Sequence, residues 1–469
     1  MFSWFHQNNA SVVNPKQRLL GTAENVLMQA SRQYQGESKL GEVLHVYGPH
    51  ISLKRLSEAI SLLQRRHPVL RSRLQVNSKT PDTYLLEEDE TLQLTIREIP
   101  RKRVDHLNFW RQEWREREKK TTNIGQGLAE FWLLQDPEED NDDNSPREIV
   151  LICEHSVCDG LSLSTVAHEL LVALAGENDD MFNNSLNWPI ALEMAIKRSL
   201  SVVTKLIIFG RAIVAFMNWR VTNTRNTVRI PLATIDFPLS DMCNYCHTEI
   251  CYGILNKDET QKLVEKCHCE GVTVTSAVNS AILCTISTLV KSEENHQSTL
   301  QMSIAADVRR RCVPPIPNHD LSYQVSCMLP IIIPTANIPT TPRSMWQLAK
   351  IFAHYIKTSV DAGQVLAIGM ILGKILRKIL GPLNLAEVPT CGTSSWGILP
   401  FSEDYGRWKL VGMIPFLNTV REVMPFIIFQ TVNGILTIVC MGANPVIPLN
   451  IMKDLRDGIM QKLHQMIED

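Results

Sequence analysis

Two periods of apolar residues alternate along this chain, and the switches between them predict its elements. From Ile51 to Leu63 the residues Leu53, Leu56, Ile60 and Leu63 fall at helical spacing behind a Ser52 cap. Arg65-Arg66-His67-Pro68 ends that helix and leads into an expected strand at Val69-Leu70-Arg71. Leu107, Trp110 and Trp114 mark a second amphipathic helix, with the tryptophans as packing residues. Ala129 to Leu134 and Arg147 to Cys153 predict two strands, joined by an acidic loop over residues 136–143. The spacing of that loop does not match a helix-flanked calcium loop, so a solvated hairpin connection is expected. After Gly160, the stripe Val166, Leu170 and Leu174 predicts a helix capped by Ser162 or Ser164.

The pattern loosens from about Gly176 to Asn244, which marks a crossover, and a second unit starts near Thr248. Asn256 with Glu259 predicts a capping box, and Thr275 to Val290 a buried helix. Leu300, Met302, Ile304 and Ala306 alternate as a strand should and end at Asp307-Val308-Arg309. Asn433-Gly434, between two apolar runs, predicts a hairpin, and a helix over roughly Leu449 to Ile467 closes the chain. Mixed helices and strands in both halves predict an α/β fold of α+β layers, with segments 1–180, 181–245 and 246–469 as first unit, crossover and second unit.

Composition narrows the function classes. With 469 residues, 44% hydrophobic and 20% charged, the chain can bury two cores. A formal charge of -2, from 47 basic and 49 acidic residues, supplies no field to gather nucleic acid. Twelve cysteines without a regular framework favour reduced thiols and a cytoplasmic setting, and the first residues show no signal peptide pattern. Leu206 to Met217 is apolar but interrupted by Arg211, so it is expected to be a buried or tunnel-lining helix, with peripheral membrane contact as the second reading.

The chemistry concentrates at Glu154-His155-Ser156-Val157-Cys158-Asp159-Gly160, directly after the apolar run Ile149 to Cys153. His155 is expected where the strand ends and the turn begins, with Asp159 as an anchor and Gly160 supplying backbone freedom. Other clusters carry less. Cys243-Asn244-Tyr245-Cys246-His247 fits a haem-attachment pattern only in letters, and Cys251, Cys267, His268 and Cys269 lack zinc-finger spacing, so packing cysteines and no metal are expected. His319-Asp320 is expected on a surface loop, and His67 at a helix end favoured by the dipole.

His155 to Gly160 spells His-x-x-x-Asp-Gly, and the chain resembles the CoA-dependent acyltransferase superfamily, which includes chloramphenicol acetyltransferase, alcohol acetyltransferases, polyketide-associated acyltransferases and condensation domains. Arg66 to Arg71, Glu270 to Thr275 and Asp307-Val308-Arg309 extend the resemblance over most of the chain. It implies two chloramphenicol-acetyltransferase-like subdomains with a tunnel between them. His155 would be the general base, Asp159 and Arg309 a structural pair, and Gly160 the turn. It also implies transfer of an acyl group from acyl-CoA, a co-substrate rather than a tightly bound cofactor, to an alcohol or amine acceptor. Two departures are visible: Glu154 stands where condensation domains carry a second histidine, and Ser395 replaces an asparagine in the late strand, where Ser394 or Ser395 is the candidate oxyanion or tunnel residue. The alternatives are a condensation-like protein taking its donor from an acyl carrier protein, and a non-catalytic lipid or carrier binder.

Overall fold

The computed structural model describes residues 16–102, 105–136, 142–176, 179–222, 227–290, 298–339, 341–381 and 385–469. Part of the acidic loop expected over 136–143 lies outside them. The fold is built on two large mixed sheets and a small one. The first large sheet runs in the order Asp404–Tyr405, Trp408–Leu417, Leu40–Tyr47, Pro146–Cys153, Ala129–Gln135, Thr95–Pro100. Pro146–Cys153 is central, flanked on both edges, and every residue in it is buried. That placement explains its unbroken apolar run, since a strand covered on both faces has no polar side to show.

The second sheet follows Val325–Cys327, Thr299–Asp307, Cys391–Ile398, Phe426–Val432, Ile435–Asn444, His247–Leu255, with Ile331–Pro334 also on Thr299–Asp307. Its hairpin turns at Asn433-Gly434, both at positive φ (50° and 80°), as a two-residue turn between twisted strands requires. The sheets meet face to face: Val43, Val150 and Phe416 of the first share an apolar cluster with Ile428 and Val439 of the second. Trp408–Leu417 belongs to the second half of the chain, yet it pairs with Leu40–Tyr47 and completes the first sheet. Helices cover the outer faces, Leu53–Arg66 and Gly160–Ala175 over one core and Val274–Leu289 and Leu449–Glu468 over the other.

Several expectations need correcting. Val69 to Arg71 is a turn, and the strand begins at Ser72 because Pro68 and the His67 cap absorb the reversal. The helix after Gly160 is capped by Asp159, whose carboxylate accepts from Ser162 N, while Ser162 returns its hydroxyl to the Asp159 backbone. The apolar crossover stretch is neither short nor buried. It is the helix Val202–Thr222, and only 6% of the apolar stretch Val202–Val221 is buried.

Candidate active site

The strand Pro146–Cys153 ends, a tight turn follows, and Asp159 opens the next helix, so residues 154–159 hang between two rigid elements. Within that turn His155 Nδ1 lies 2.8 Å from the carbonyl oxygen of Cys158. A carbonyl can only accept, so Nδ1 carries the proton and Nε2 is left with its lone pair. Nε2 has no hydrogen-bond partner among the described residues. Burial depresses the imidazole pKa, against the opposing pull of the Cys158 carbonyl and the Asp159 and Glu154 charges. The ring is nonetheless only partly covered by the fold. Tyr323 stands edge-on to it at 5.1 Å between centroids, its phenol kept protonated by burial.

Asp159 and Arg309 meet across 150 residues of sequence. Arg309 Nη1 donates to Asp159 Oδ2 at 2.7 Å and Nη2 to Oδ1 at 3.1 Å, with both side chains at most 1% exposed. Backbone donors from Ser162 (3.0 Å) and Gln324 (2.9 Å) complete the shell around the carboxylate. Burial alone would raise its pKa, but the Arg309 charge and these donors hold it below the ordinary carboxylate value. Asp307 takes a second bond from Arg309 Nη1 at 2.8 Å, and Arg309 Nη2 also reaches the Ser322 carbonyl. The turn bearing His155 is thus tied to the segment 307–324, which also carries Tyr323.

Gly160 is needed for a reason other than the expected one. Its φ is not in the left-handed region, and a Cβ there would lie 2.1 Å from the indole of Trp396. The residue is small so that Trp396 can pack on the start of the motif helix. Trp396 sits at a bulge in Cys391–Ile398, between Ser395 and Gly397. Of the two serines before it, Ser395 is engaged with Thr275 Oγ1 at 3.0 Å, while the Ser394 hydroxyl has no partner among the described residues.

Other residues settle into supporting roles. Glu154 accepts from Thr122 Oγ1 at 2.6 Å and lies 3.3 Å from Lys39 Nζ, so it is committed elsewhere. His67 is buried and 2.6 Å from Glu169 on the motif helix, where Arg66 Nε also donates. It therefore brackets the motif helix, whereas sequence reasoning assigned it only a helix-end role. Cys243, Cys246 and Cys267 are buried free thiols whose pKa values burial raises to about 11, 11 and 12, as expected of packing residues, whereas Cys269, also expected to pack, is exposed near the end of the helix Lys257–Glu270. His319 Nε2 is 3.9 Å from Asp320 Oδ1, too far for a hydrogen bond.

One further trio was not legible in the sequence. Ligand atoms of His45, His106 and Glu148 lie within 4.8 Å of one another. Glu148 already accepts from Arg101 Nε at 2.6 Å and Leu107 N at 2.9 Å and contacts His106 Nδ1 at 2.6 Å, so a divalent cation would compete with a guanidinium for it. Tyr323 and Gln324, on the segment that follows the Asp307-Val308-Arg309 strand end, were missed. Thr275, in the helix Val274–Leu289, and Trp396, in the strand Cys391–Ile398, were read only as parts of their elements, and their contacts with Ser395 and Gly160 join residues far apart in sequence.

A family model described as phthiocerol/phthiodiolone dimycocerosyl transferase C-terminus matches residues 249–401. Among solved structures, the chain is similar to the trichothecene 15-O-acetyltransferase TRI3 from Fusarium sporotrichioides, with a TM-score of 0.74 at 12% identity over 96% of this chain and 95% of that one. Polyketide synthase associated protein 5 from Mycobacterium tuberculosis aligns with a TM-score of 0.66 at 16% identity, covering 95% and 98%. The first condensation domain of the calcium-dependent antibiotic synthetase aligns with 0.68 at 14% identity, covering 98% and 97%. No curated protein matches the chain in sequence.

Proposed function

For a chain with the chloramphenicol-acetyltransferase-like fold of the CoA-dependent acyltransferase and condensation-domain superfamily, we propose an O-acyltransferase that moves an acyl group from acyl-CoA to an alcohol. The observation that carries this reading is His155, with Nδ1 pinned to the Cys158 carbonyl and Nε2 unpaired on a ring held neutral by burial. Nε2 takes the proton of the acceptor hydroxyl as its oxygen attacks the thioester carbonyl. The carbon–sulfur bond then breaks, and the leaving thiolate recovers the proton from the imidazolium. No acyl-enzyme is needed, so no side-chain nucleophile is required. Ser394, unengaged beside the Trp396 bulge, is the candidate donor to the oxyanion, and Ser395 is less suited because Thr275 holds it.

A second reading, transfer from a carrier-bound acyl group, is favoured by the near-complete overlap with a condensation domain. The engagement of Glu154 with Thr122 and Lys39 speaks against a second base at that position. Release of thiol from acyl-CoA in mixed alcohols should fall about a hundredfold or more in His155→Ala, in a variant that melts like the parent. Undiminished release in that variant sinks the histidine-base mechanism. Turnover of an acylated carrier protein with none of acyl-CoA would transfer the assignment to the second reading.

A further inference from the structure

The helix Val202–Thr222 is apolar over most of its surface, broken by Lys205, Arg211, Asn218 and Arg220, a composition that ordinarily means that most of the helix is covered. Only its inner stripe finds cover: Ile208 packs against Gly363, and Phe209 and Ala212 join the second core. On the outside, Val203, Leu206, Ile213, Val214, Met217 and Val221 are exposed, Leu206 and Val221 to 70%. Scattered exposed apolar residues need no explanation, but a continuous row along one helix marks a contact surface.

Charge identifies what the surface meets. From Lys197 to Thr222 the chain carries five basic residues, Lys197, Arg198, Lys205, Arg211 and Arg220, and no acidic one, although the whole protein is formally -2. The helix it packs against, Gln364–Ile379, ends in the same way, with exposed Ile379 beside exposed Arg377. Apolar side chains fringed by cations are the complement of a leaflet bearing anionic headgroups. The helix is long and apolar enough to cross a bilayer, but both of its ends are held to one body. Before it, Ser199 accepts from Val313 N at 2.9 Å. Toward its far end Trp219 Nε1 donates to the Pro330 carbonyl at 3.0 Å, and Thr227 bridges to Thr299. Its axis therefore runs along the protein surface.

We propose that the outer face of Val202–Thr222 docks the protein onto a membrane leaflet carrying anionic phospholipid, lying in the headgroup–acyl boundary without crossing it. The inference is independent of the reaction assigned to His155.

Sedimentation of the full chain with phosphatidylcholine vesicles, with and without phosphatidylserine, tests it. Binding is expected to be at least about tenfold tighter with phosphatidylserine and to weaken with salt. The triple variant Leu206→Glu, Val214→Glu, Met217→Glu should lose sedimentation while keeping its circular dichroism and melting temperature, because all three side chains point away from the core. Arg211→Gln and Arg220→Gln should each weaken binding roughly fivefold. Absence of sedimentation with either vesicle at low salt would overturn the proposal, as would undiminished binding by the triple variant. Self-association that the triple variant abolishes, without vesicle binding, would assign the face to a second copy and equally overturn it.

Discussion

The Asp159–Arg309 pair lets two substitutions be ranked from geometry alone. Asp159→Ala leaves the buried Arg309 guanidinium, but Asp307 remains 2.8 Å from Nη1, so the charge keeps one partner. Arg309→Ala strands two carboxylates, Asp159 with almost no exposure and Asp307 about one-third exposed. Removing one partner of a buried pair costs about 3–5 kcal/mol, so Asp159→Ala is expected near the lower end and Arg309→Ala near or beyond the upper. Urea unfolding of the two variants checks the order. A larger loss in Asp159→Ala would mean that Asp307 does not share the guanidinium as its position indicates.

At the scale of elements, the contact of Gly160 with Trp396 joins the motif helix to the late strand. A methyl at Gly160 overlaps the indole, so Gly160→Ala should cost about 1–3 kcal/mol through displaced packing. In a Trp396→Ala background the indole that the methyl overlaps is gone, so the methyl should cost less than about 1 kcal/mol beyond the Trp396→Ala loss, and chemical unfolding of the four proteins in the cycle measures the coupling. Equal costs in both backgrounds would locate the requirement for glycine elsewhere. That contact also marks where sequence reading stops. Period and capping letters located the Ser52 and Asn256 caps, the Asn433-Gly434 turn and the strand before His155, because each is decided within a few residues. The role of Gly160 was misjudged, since backbone freedom is a local property of glycine whereas the indole above it arrives from position 396. The stretch Leu206 to Met217 was expected to be buried, with membrane contact as the second reading, for the same reason: an apolar run reports what a surface needs and not whether this chain provides it.

At the scale of the molecule, the two halves are interlocked. Trp408–Leu417 pairs with Leu40–Tyr47 along eight residues of register, and the two sheets share one apolar layer, so neither sheet keeps its neighbours if the other opens. Unfolding should therefore be one transition, and proton linkage at any buried site should register in a single melting temperature. Glu42 lies on the strand that accepts Trp408–Leu417; among the described residues the Ser164 hydroxyl, at 2.6 Å, is its side chain's one hydrogen-bond partner, and its second carboxyl oxygen is buried without one. Burial raises its pKa from 4.5 to about 8, with Ser164 opposing. Glu118 and Glu422 are raised to about 7, also chiefly by burial. Between the unfolded and folded values the native state holds protons that the unfolded chain releases, so their stabilising contribution is complete below about pH 4.5 and is lost as pH rises toward about 8. Glu42→Gln keeps an amide at the Ser164 hydroxyl but removes the titration. The variant should thus gain on the parent as pH is raised from about 5 to about 8, by an amount on the order of a few kcal/mol, and the gap should stop widening above that range. Melting curves of the two proteins across these pH values decide it. A gap that stays constant would mean that Glu42 ionises in the folded protein near its ordinary value, which would require water to reach the carboxyl oxygen that has no hydrogen-bond partner among the described residues.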